Sequence, residues 1–397
     1  MTMLSESEIA QIGTDPIPTA PYWSEEYFAL EREKLFGRVW LMAGREFDLP
    51  KCGDYFVKDI PPASASVLLT RSEDGQLRAF HNVCSHRNAK VIRDRKGHAA
   101  RFVCRYHGWS YGLKGDLRNV PDEANFALLD KTKCGLTPVA LDVSNGFIFI
   151  NLDPNPPQSL KEFLCGIDAR LADHPFSDWT SFYQIESEIP ANWKCVIDNF
   201  QETYHLSFVH AASVKDRSIG PGNPLGHPLG FKLYGPHRMM GIWGNLQHKP
   251  AAVESFAIQN GGVISQGATD SAKKSGSRHP NWQMDVHGIF PNLLIDVTPS
   301  FFLTHEVMPI ASGRTRWTTC VYFQPARNAA QRVSQEYSVA AFRDTAVEDV
   351  QVLGTQHEGM LSGAKKVFHF QANEVLCRHF AASVDRYVKH GARVVTA

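Results

Sequence analysis

Two short segments, Cys84-Ser85-His86 and Cys104-Arg105-Tyr106-His107, each join one cysteine to one histidine inside a stretch of strand and turn signals. Carried on two strand-adjacent loops, they make a four-ligand set of mixed sulfur and nitrogen, and nothing else in the chain limits the fold as much. Three readings compete. Zn2+ accepts two thiolates and two imidazoles tetrahedrally. Unrelated buried cysteines and surface histidines would give the same letters. A [2Fe–2S] centre, with two thiolates on one iron and two imidazoles on the other, uses the same four groups. Zinc fingers pair like with like, as C-x2-C and H-x3-H, whereas C-x-H…C-x2-H in a strand-rich domain is specific to the iron–sulfur arrangement. Imidazoles in place of two thiolates make such a centre less negative and raise its potential. It passes single electrons and performs no oxygen chemistry itself.

A second constellation lies downstream. Asn192-Trp193-Lys194 precedes Asp198-Asn199-Phe200-Gln201-Glu202-Thr203-Tyr204-His205, and His210 follows. Two histidines and one carboxylate form the facial triad of O2-activating Fe(II) enzymes, which leaves coordination positions open. Two surface histidines on a helix would also read H-x4-H, but the upstream set favours iron. On a straight helix the two rings would diverge by roughly 140°. Both can therefore ligate one ion only if the helix breaks or widens between them.

Residues 1–45 form an N-terminal helical segment: Ser24 caps a helix that opens with Glu25 and Glu26 and continues to Phe36 before Gly37. Residues 46–155 read as a small antiparallel β domain, with Asp74-Gly75 marking a hairpin. Asp153-Pro154-Asn155-Pro156-Pro157 marks a boundary. Residues 156–397 read as α+β, with helices around 195–210, 329–360 and 371–389 and strands at NLLIDV, SFFLTHEVMP and RWTTCVYF. Gly261 to Arg278 is polar and is expected to be a mobile segment. Lys+Arg and Asp+Glu both number 41, without a basic run, which argues against nucleic acid or a membrane surface as partner. The N-terminus lacks the basic and apolar regions of a secretory signal, and apolar strings such as Gly146 to Ile150 fall far short of the ~20 residues a membrane helix needs. The eight cysteines are scattered, so the expectation is a cytoplasmic protein with reduced thiols.

The stretch HNVCSHRNAKV…FVCRYHGWSYGLKGDL resembles the Rieske domain of ring-hydroxylating oxygenase α subunits, where the ligand loops read C-x-H-R-G/N and C-x-Y-H-G-W. Arg105 stands where that family often has Pro, a change of loop stiffness that removes no ligand. The resemblance implies Cys84, His86, Cys104 and His107 as cluster ligands; Tyr106 and Trp109 are candidates to pack over the cluster or to serve as ordinary β-domain core. It further implies Glu202 as the bridging carboxylate and His205 and His210 as iron ligands. The third ligand is implied by Glu348-Asp349-Val350-Gln351, the start of a motif like E-D-x4-E-x2-Q, which points to Asp349. The later Glu and Gln of that motif are Gly354 and His357 here, so Glu348 and Asp344 stand as fallback ligands.

The family resemblance implies a helix-grip-like catalytic domain of curved antiparallel sheet and helices, and head-to-tail homotrimers. The implied electron path runs from the cluster through His107 to Glu202 of the next subunit, then to His205 and iron. Asn199 stands near enough in sequence to approach the iron, or to serve a helix-interior hydrogen bond. Phe200, Leu206, Trp243, Leu294, Val297 and Phe302 are candidate pocket residues, although apolar residues of this kind are more often simple core.

The implied reaction is O2-dependent hydroxylation of a small aromatic compound, at the ring or by oxidative N- or O-dealkylation. Glu202 opens a second reading. Most ring-hydroxylating members carry Asp there, and a group that includes quaternary-ammonium oxygenases carries Glu. Such a cation needs an aromatic cage or a carboxylate to hold it, and Trp243, Trp282 and Tyr234 are candidates for the cage. A ferredoxin-like electron carrier and a zinc-stabilised binding protein are the readings of other classes. No G-x-G-x-x-G follows a strand, so NAD(P)H would act only through a separate reductase, with or without a ferredoxin. Whether a small β subunit accompanies the chain stays open.

Overall fold

The computed structural model describes residues 4–261 and 279–391. The polar segment expected to be mobile lies, beyond Gly261, outside the described residues. Two compact units form, Arg32–Phe163 and the pair of segments Met1–Glu31 and Leu164–Ala397.

The unit Arg32–Phe163 is built on an antiparallel sheet in the order Leu41–Arg45, Phe147–Asn151, Pro138–Ser144, Leu77–His81, Ala65–Arg71, Asp54–Ile60, Lys96–His98. A smaller sheet joins Phe102–Val103, Ser110–Tyr111 and Leu117–Asn119. The unit begins and ends outside the expected limits of 46 and 155. Leu41–Arg45 pairs with the strand at Phe147, so it belongs to this sheet. Past the prolines, Trp40 Nε1 donates to the Gln158 carbonyl at 3.0 Å, and Leu160 and Phe163 are buried. The Ser24-capped helix is α-helical only over Glu25–Glu31 and widens into a π turn over Arg32–Phe36.

In the other unit a seven-stranded antiparallel sheet runs Ser181–Ile189, Arg314–Phe323, Phe302–Ala311, Leu293–Val297, Trp282–Ile289, His237–Trp243, Gly230–Tyr234. The apolar strings NLLIDV, SFFLTHEVMP and RWTTCVYF thus become three neighbouring strands, each long enough to pair along its length. The helix Ala329–Leu361 lays Phe342 against His305 and Trp317 of the sheet, and Val375–His390 packs Phe380 on Trp193 and Tyr387 on Phe290. Leu376, Phe380, Val384 and Tyr387 recur at helical spacing and are all buried, which gives that second helix its inward face.

The helix Trp193–Asn199 is nearly all buried and carries the segment of interest at its C-terminal end. Asn192 caps it, accepting from the Lys194 amide at 3.0 Å while its own amide donates to the Ser312 carbonyl at 2.7 Å. Its first turn is fixed by Glu31, which pairs with Lys194 and accepts from Trp193 Nε1 at 2.9 Å. Burial raises the Glu31 pKa, against the Lys194 ammonium and the Trp193 hydrogen bond that stabilise its charge. Removing one partner of such a pair costs about 3–5 kcal/mol, because the other charge stays buried alone. The contact therefore anchors the N-terminal segment to the helix that presents the site. The strand pair Ile17–Pro18 with Val367–Phe368 ties the same segment to the far end of the chain.

Among the described residues no helix is long and apolar enough to cross a membrane.

Candidate metal centres

In the β unit the two Cys-His segments fold into loops with the same hydrogen-bond pattern. The Cys84 amide donates to the Ala89 carbonyl and Asn88 N–H to the Cys84 carbonyl; the Cys104 amide donates to Trp109 and Gly108 N–H to Cys104. The fourth residue after each cysteine has positive φ, 58° at Asn88 and 73° at Gly108, which explains the Asn and Gly found there. Both cysteines sit within the hydrophobic core of the unit. Tyr111 Oη lies 3.2 Å from Cys84 Sγ and accepts from the Ser85 amide at 2.9 Å.

The imidazole end is more open. The His86 and His107 rings are 4.5 Å apart, Trp109 stacks on His86 at 4.9 Å, and the exposed Tyr106 lies against His107 at 3.8 Å. His86 Nδ1 is buried without a hydrogen-bond partner among the described residues, as expected of an atom meant for a metal. Two buried sulfurs facing two imidazoles fit a [2Fe–2S] group with mixed ligation.

In the second unit the expected helix around 195–210 ends at Asn199. Phe200 N–H and Gln201 N–H close it with tight turns onto Ile197 and Asp198. A separate 3-10 turn, Tyr204–Ser207, then carries His205, and His210 follows in an irregular turn. The break thus falls before both histidines, and it turns their Nε2 atoms toward one point. Asp349, in the middle of the helix Ala329–Leu361, supplies Oδ1 at 3.0 Å from His210 Nε2 and 3.8 Å from His205 Nε2. The three groups offer one ligand atom each within 4.8 Å of one another. Asp349 Oδ1 is buried and accepts no hydrogen bond among the described residues, so this donor set fits a divalent iron.

The far sides of both rings are held by carboxylates. Glu202 accepts from His205 Nδ1, and its other oxygen caps the turn by accepting from the Tyr204 and His205 amides. Glu348 accepts from His210 Nδ1 at 2.7 Å and from Ser213 Oγ. Each Nδ1 therefore carries the proton, leaving Nε2 free for a metal. Burial opposes charge on His210, but Asp349 and Glu348 overcome it and lift its pKa above the ordinary value, so the site holds negative charge that suits a cation. The fallback ligands do not face the triad: Glu348 is spent on Nδ1, and the exposed Asp344 pairs with Arg343. Replacing Glu348 with Ala, which removes the acceptor for His210 Nδ1, should weaken iron binding about 10–100-fold and leave the cluster intact. Iron titration of the apo variant measures this, and wild-type affinity would remove the orienting role of Glu348.

A cavity of about 180 Å3 opens at the triad. Asn199, Phe200, Glu202, His205, Leu206, His210 and Asp349 line it, with Met240, Ile242, Phe301, Leu303 and Phe342 on other walls. Of the six pocket candidates only Phe200 and Leu206 line it. Val297 and Phe302 point to the opposite face of the sheet, where Phe302 packs on Phe176, Trp179 and Tyr322. Leu294 lies further along its strand, opposite His305. Trp243 sits past a bulge in its strand and leaves the wall to Met240 and Ile242. None of the cage candidates Trp243, Trp282 and Tyr234 reaches the cavity; Trp282 is buried and donates to Asp285 at 2.9 Å.

Asp296 and its partner His305 have no role in the sequence reading. Asp296 lines the cavity, only 3% exposed, and its Oδ2 lies 3.1 Å from His305 Nε2. A lone carboxylate in the apolar strand NLLIDV was the available signal, since a buried charge needs a reason.

Residues 39–136 match the family described as Rieske [2Fe-2S] domain, and residues 176–390 match ring hydroxylating alpha subunit (catalytic domain). The chain is 29% identical over 356 residues to the carnitine monooxygenase oxygenase subunit of Escherichia coli (strain K12), spanning 87% of this chain and 84% of that one. It is 35% identical over 200 residues to the large oxygenase component of a naphthalene 1,2-dioxygenase system of Pseudomonas aeruginosa, covering 48% and 43%. A solved quaternary ammonium Rieske monooxygenase superposes with a TM-score of 0.76 at 20% identity, over 97% of this chain and 99% of that one.

Proposed function

The chain belongs to the ring-hydroxylating oxygenase α subunits with a Rieske [2Fe-2S] domain, and from that premise we propose that it is a monooxygenase of small quaternary ammonium compounds. The observation that carries this reading is the match to the carnitine monooxygenase oxygenase subunit along nearly the whole of both chains, where the naphthalene-system relative matches over less than half of this one. Glu202 supports it, as does a cavity walled by Phe200, Phe301 and Phe342 rings that suit a methylated cation.

In this proposal Cys84, His86, Cys104 and His107 hold the Rieske cluster, and His205, His210 and Asp349 hold the mononuclear iron. When bound, these groups supply electron transfer and O2 activation. The protein's own part is placement. Glu202 and Glu348 fix the imidazoles, and Phe200, Leu206, Leu303 and Phe342 exclude water and position the substrate beside the open side of the triad. One oxygen atom enters a C–H bond next to nitrogen, and the other leaves as water with two electrons and two protons. The carbinol then breaks its C–N bond, the electron pair goes to nitrogen, and a tertiary amine, an aldehyde and a proton are released. Electrons come from NAD(P)H through a separate reductase, directly or by way of a ferredoxin. The working assembly in this proposal is a head-to-tail homotrimer in the cytoplasm.

Ring hydroxylation of a small aromatic compound is the second reading, favoured by the apolar walls and the naphthalene-system relative. A single turnover of the reduced protein under labelled O2 separates the two. Quaternary amines, N- and O-alkyl aromatics and unsubstituted aromatics form the panel, and products are read by mass spectrometry. Aldehyde and tertiary amine from the quaternary compounds alone establish the first reading; a labelled ring hydroxyl or diol replaces it with the second.

A further inference from the structure

Among the described residues, the charged groups lining the triad cavity either serve the iron site or pair with an oppositely charged side chain, with one exception. Arg217 Nε pairs with Glu254 at 2.7 Å, Glu202 with His205, and Asp349 stands against both iron-site imidazoles. Asp296 is the exception. Its Oδ2 takes a hydrogen bond from His305, and its Oδ1 is buried with no hydrogen-bond partner among the described residues.

The imidazole that holds it is itself fixed. Trp317 Nε1, which can only donate, lies 3.3 Å from His305 Nδ1, and Thr319 Oγ1 lies 2.9 Å from the same atom. Nδ1 is thus an acceptor, and the ring's proton sits on Nε2, directed at Asp296. This chain of Trp317, His305 and Asp296 orients the carboxylate without bringing a countercharge to it. Around the group are aromatic rings: Phe200 lies 4.5 Å and Phe342 5.5 Å from the His305 ring, and Leu303 stands directly across the strand pair from Asp296.

An acceptor oxygen buried beside an apolar cavity is costly unless something completes it. A neutral aromatic substrate offers neither charge nor donor. A cationic nitrogen offers charge, and the same Phe rings attract it through their π faces. We propose that Asp296 is the substrate-binding residue for the cationic nitrogen, with His305 and Trp317 as positioning residues. The inference rests on the quaternary-ammonium reading and names the group that would carry its selectivity. The strand Leu293–Val297 carries this carboxylate, while the triad comes from a helix and the turns after Asn199.

The test compares choline with 3,3-dimethylbutan-1-ol, its uncharged carbon isostere, in the protein loaded with cluster and iron. Dissociation constants are read by calorimetry. In the wild type the cation should bind about tenfold or more tightly than the isostere, and in Asp296→Asn that ratio should collapse toward one. His305→Gln should give an intermediate ratio, because the carboxylate remains but loses its fixed orientation. A wild-type preference that persists in Asp296→Asn overturns the role of Asp296 and leaves the quaternary-ammonium reading standing. Absence of any preference in the wild type overturns both. If Asp296→Asn does not fold, Asp296→Glu carries the test. The carboxylate moves one methylene further, and the preference should shift toward the smaller tetramethylammonium ion; an unchanged size ranking counts against the proposal.

Discussion

Asp349→Ala should lose its mononuclear iron and keep the Rieske cluster, with substrate oxidation falling by more than about 100-fold. The floor on that loss comes from groups that only orient metal ligands, whose removal already costs 10–100-fold in affinity or activity. Asp349 does more: its Oδ1 is the sole carboxylate oxygen within reach of both Nε2 atoms among the described residues. Without it, two neutral imidazoles remain, and the negative charge that balances the cation is gone. The side chain is buried in the middle of a 33-residue helix, where Ala is an excellent helix former, so the backbone should hold. The cluster loops are a separate construction in the other unit and should keep their visible absorbance. Iron per chain after cluster iron is subtracted, measured with the absorbance spectrum, decides the matter. Full retention of mononuclear iron would move the ligand to Glu348, which would then have to leave His210 Nδ1.

The metal positions and the scaffold differ in how far they can be read from the residues. The two Cys-His loops show plainly because ligand chemistry and turn chemistry coincide: the residue four after each cysteine must take a positive φ, and Asn88 and Gly108 are residue types that do so cheaply. The strands NLLIDV, SFFLTHEVMP and RWTTCVYF are legible because a buried sheet needs apolar runs of that length. His205 and His210 are legible as a pair, but their path is not. H-x4-H on a helix points the rings apart, and only the termination at Asn199 with the Glu202-capped turn reconciles them. Asp349 needed a resemblance, since nothing local separates it from Glu348 or Asp344; the separation is a matter of which face of the helix meets the two rings.

The pocket was the least legible part. Leu294, Val297 and Phe302 are pocket candidates only through apolar character, which most residues of a buried sheet share. What decides cavity lining is strand phase, and a one-residue shift exchanges the faces. Leu303 and Asp296 face each other across the strand pair on one side, while Phe302 and Val297 do so on the other. The unit boundary was displaced for a related reason. Leu41–Arg45 is a strand only because Phe147–Asn151 offers it an edge, a partnership between segments far apart in the chain.

Glu202→Gln should keep both metals and lose most reductase-driven turnover, by about 100-fold. Gln fills the same space, and its amide oxygen can keep the bond from His205 Nδ1, while its NH2 group stands where the other carboxylate oxygen now accepts from the turn amides of Tyr204 and His205. What it lacks is the second carboxylate oxygen and the charge. A carboxylate can accept from two imidazoles at once, whereas the NH2 group of Gln would meet a second ring N–H as donor against donor. If Glu202 links His205 to the cluster-bearing imidazole of a neighbouring copy, the substitution interrupts delivery of electrons while leaving the iron site built. Hydrogen peroxide tests that distinction, because it supplies both the oxygen atom and the two oxidising equivalents and needs no reductase. Product yield with peroxide should stay near wild type in Glu202→Gln while turnover driven by the reductase collapses. Equal loss in both assays would make Glu202 a support of the iron site alone, and full activity in both would leave it no role in electron delivery.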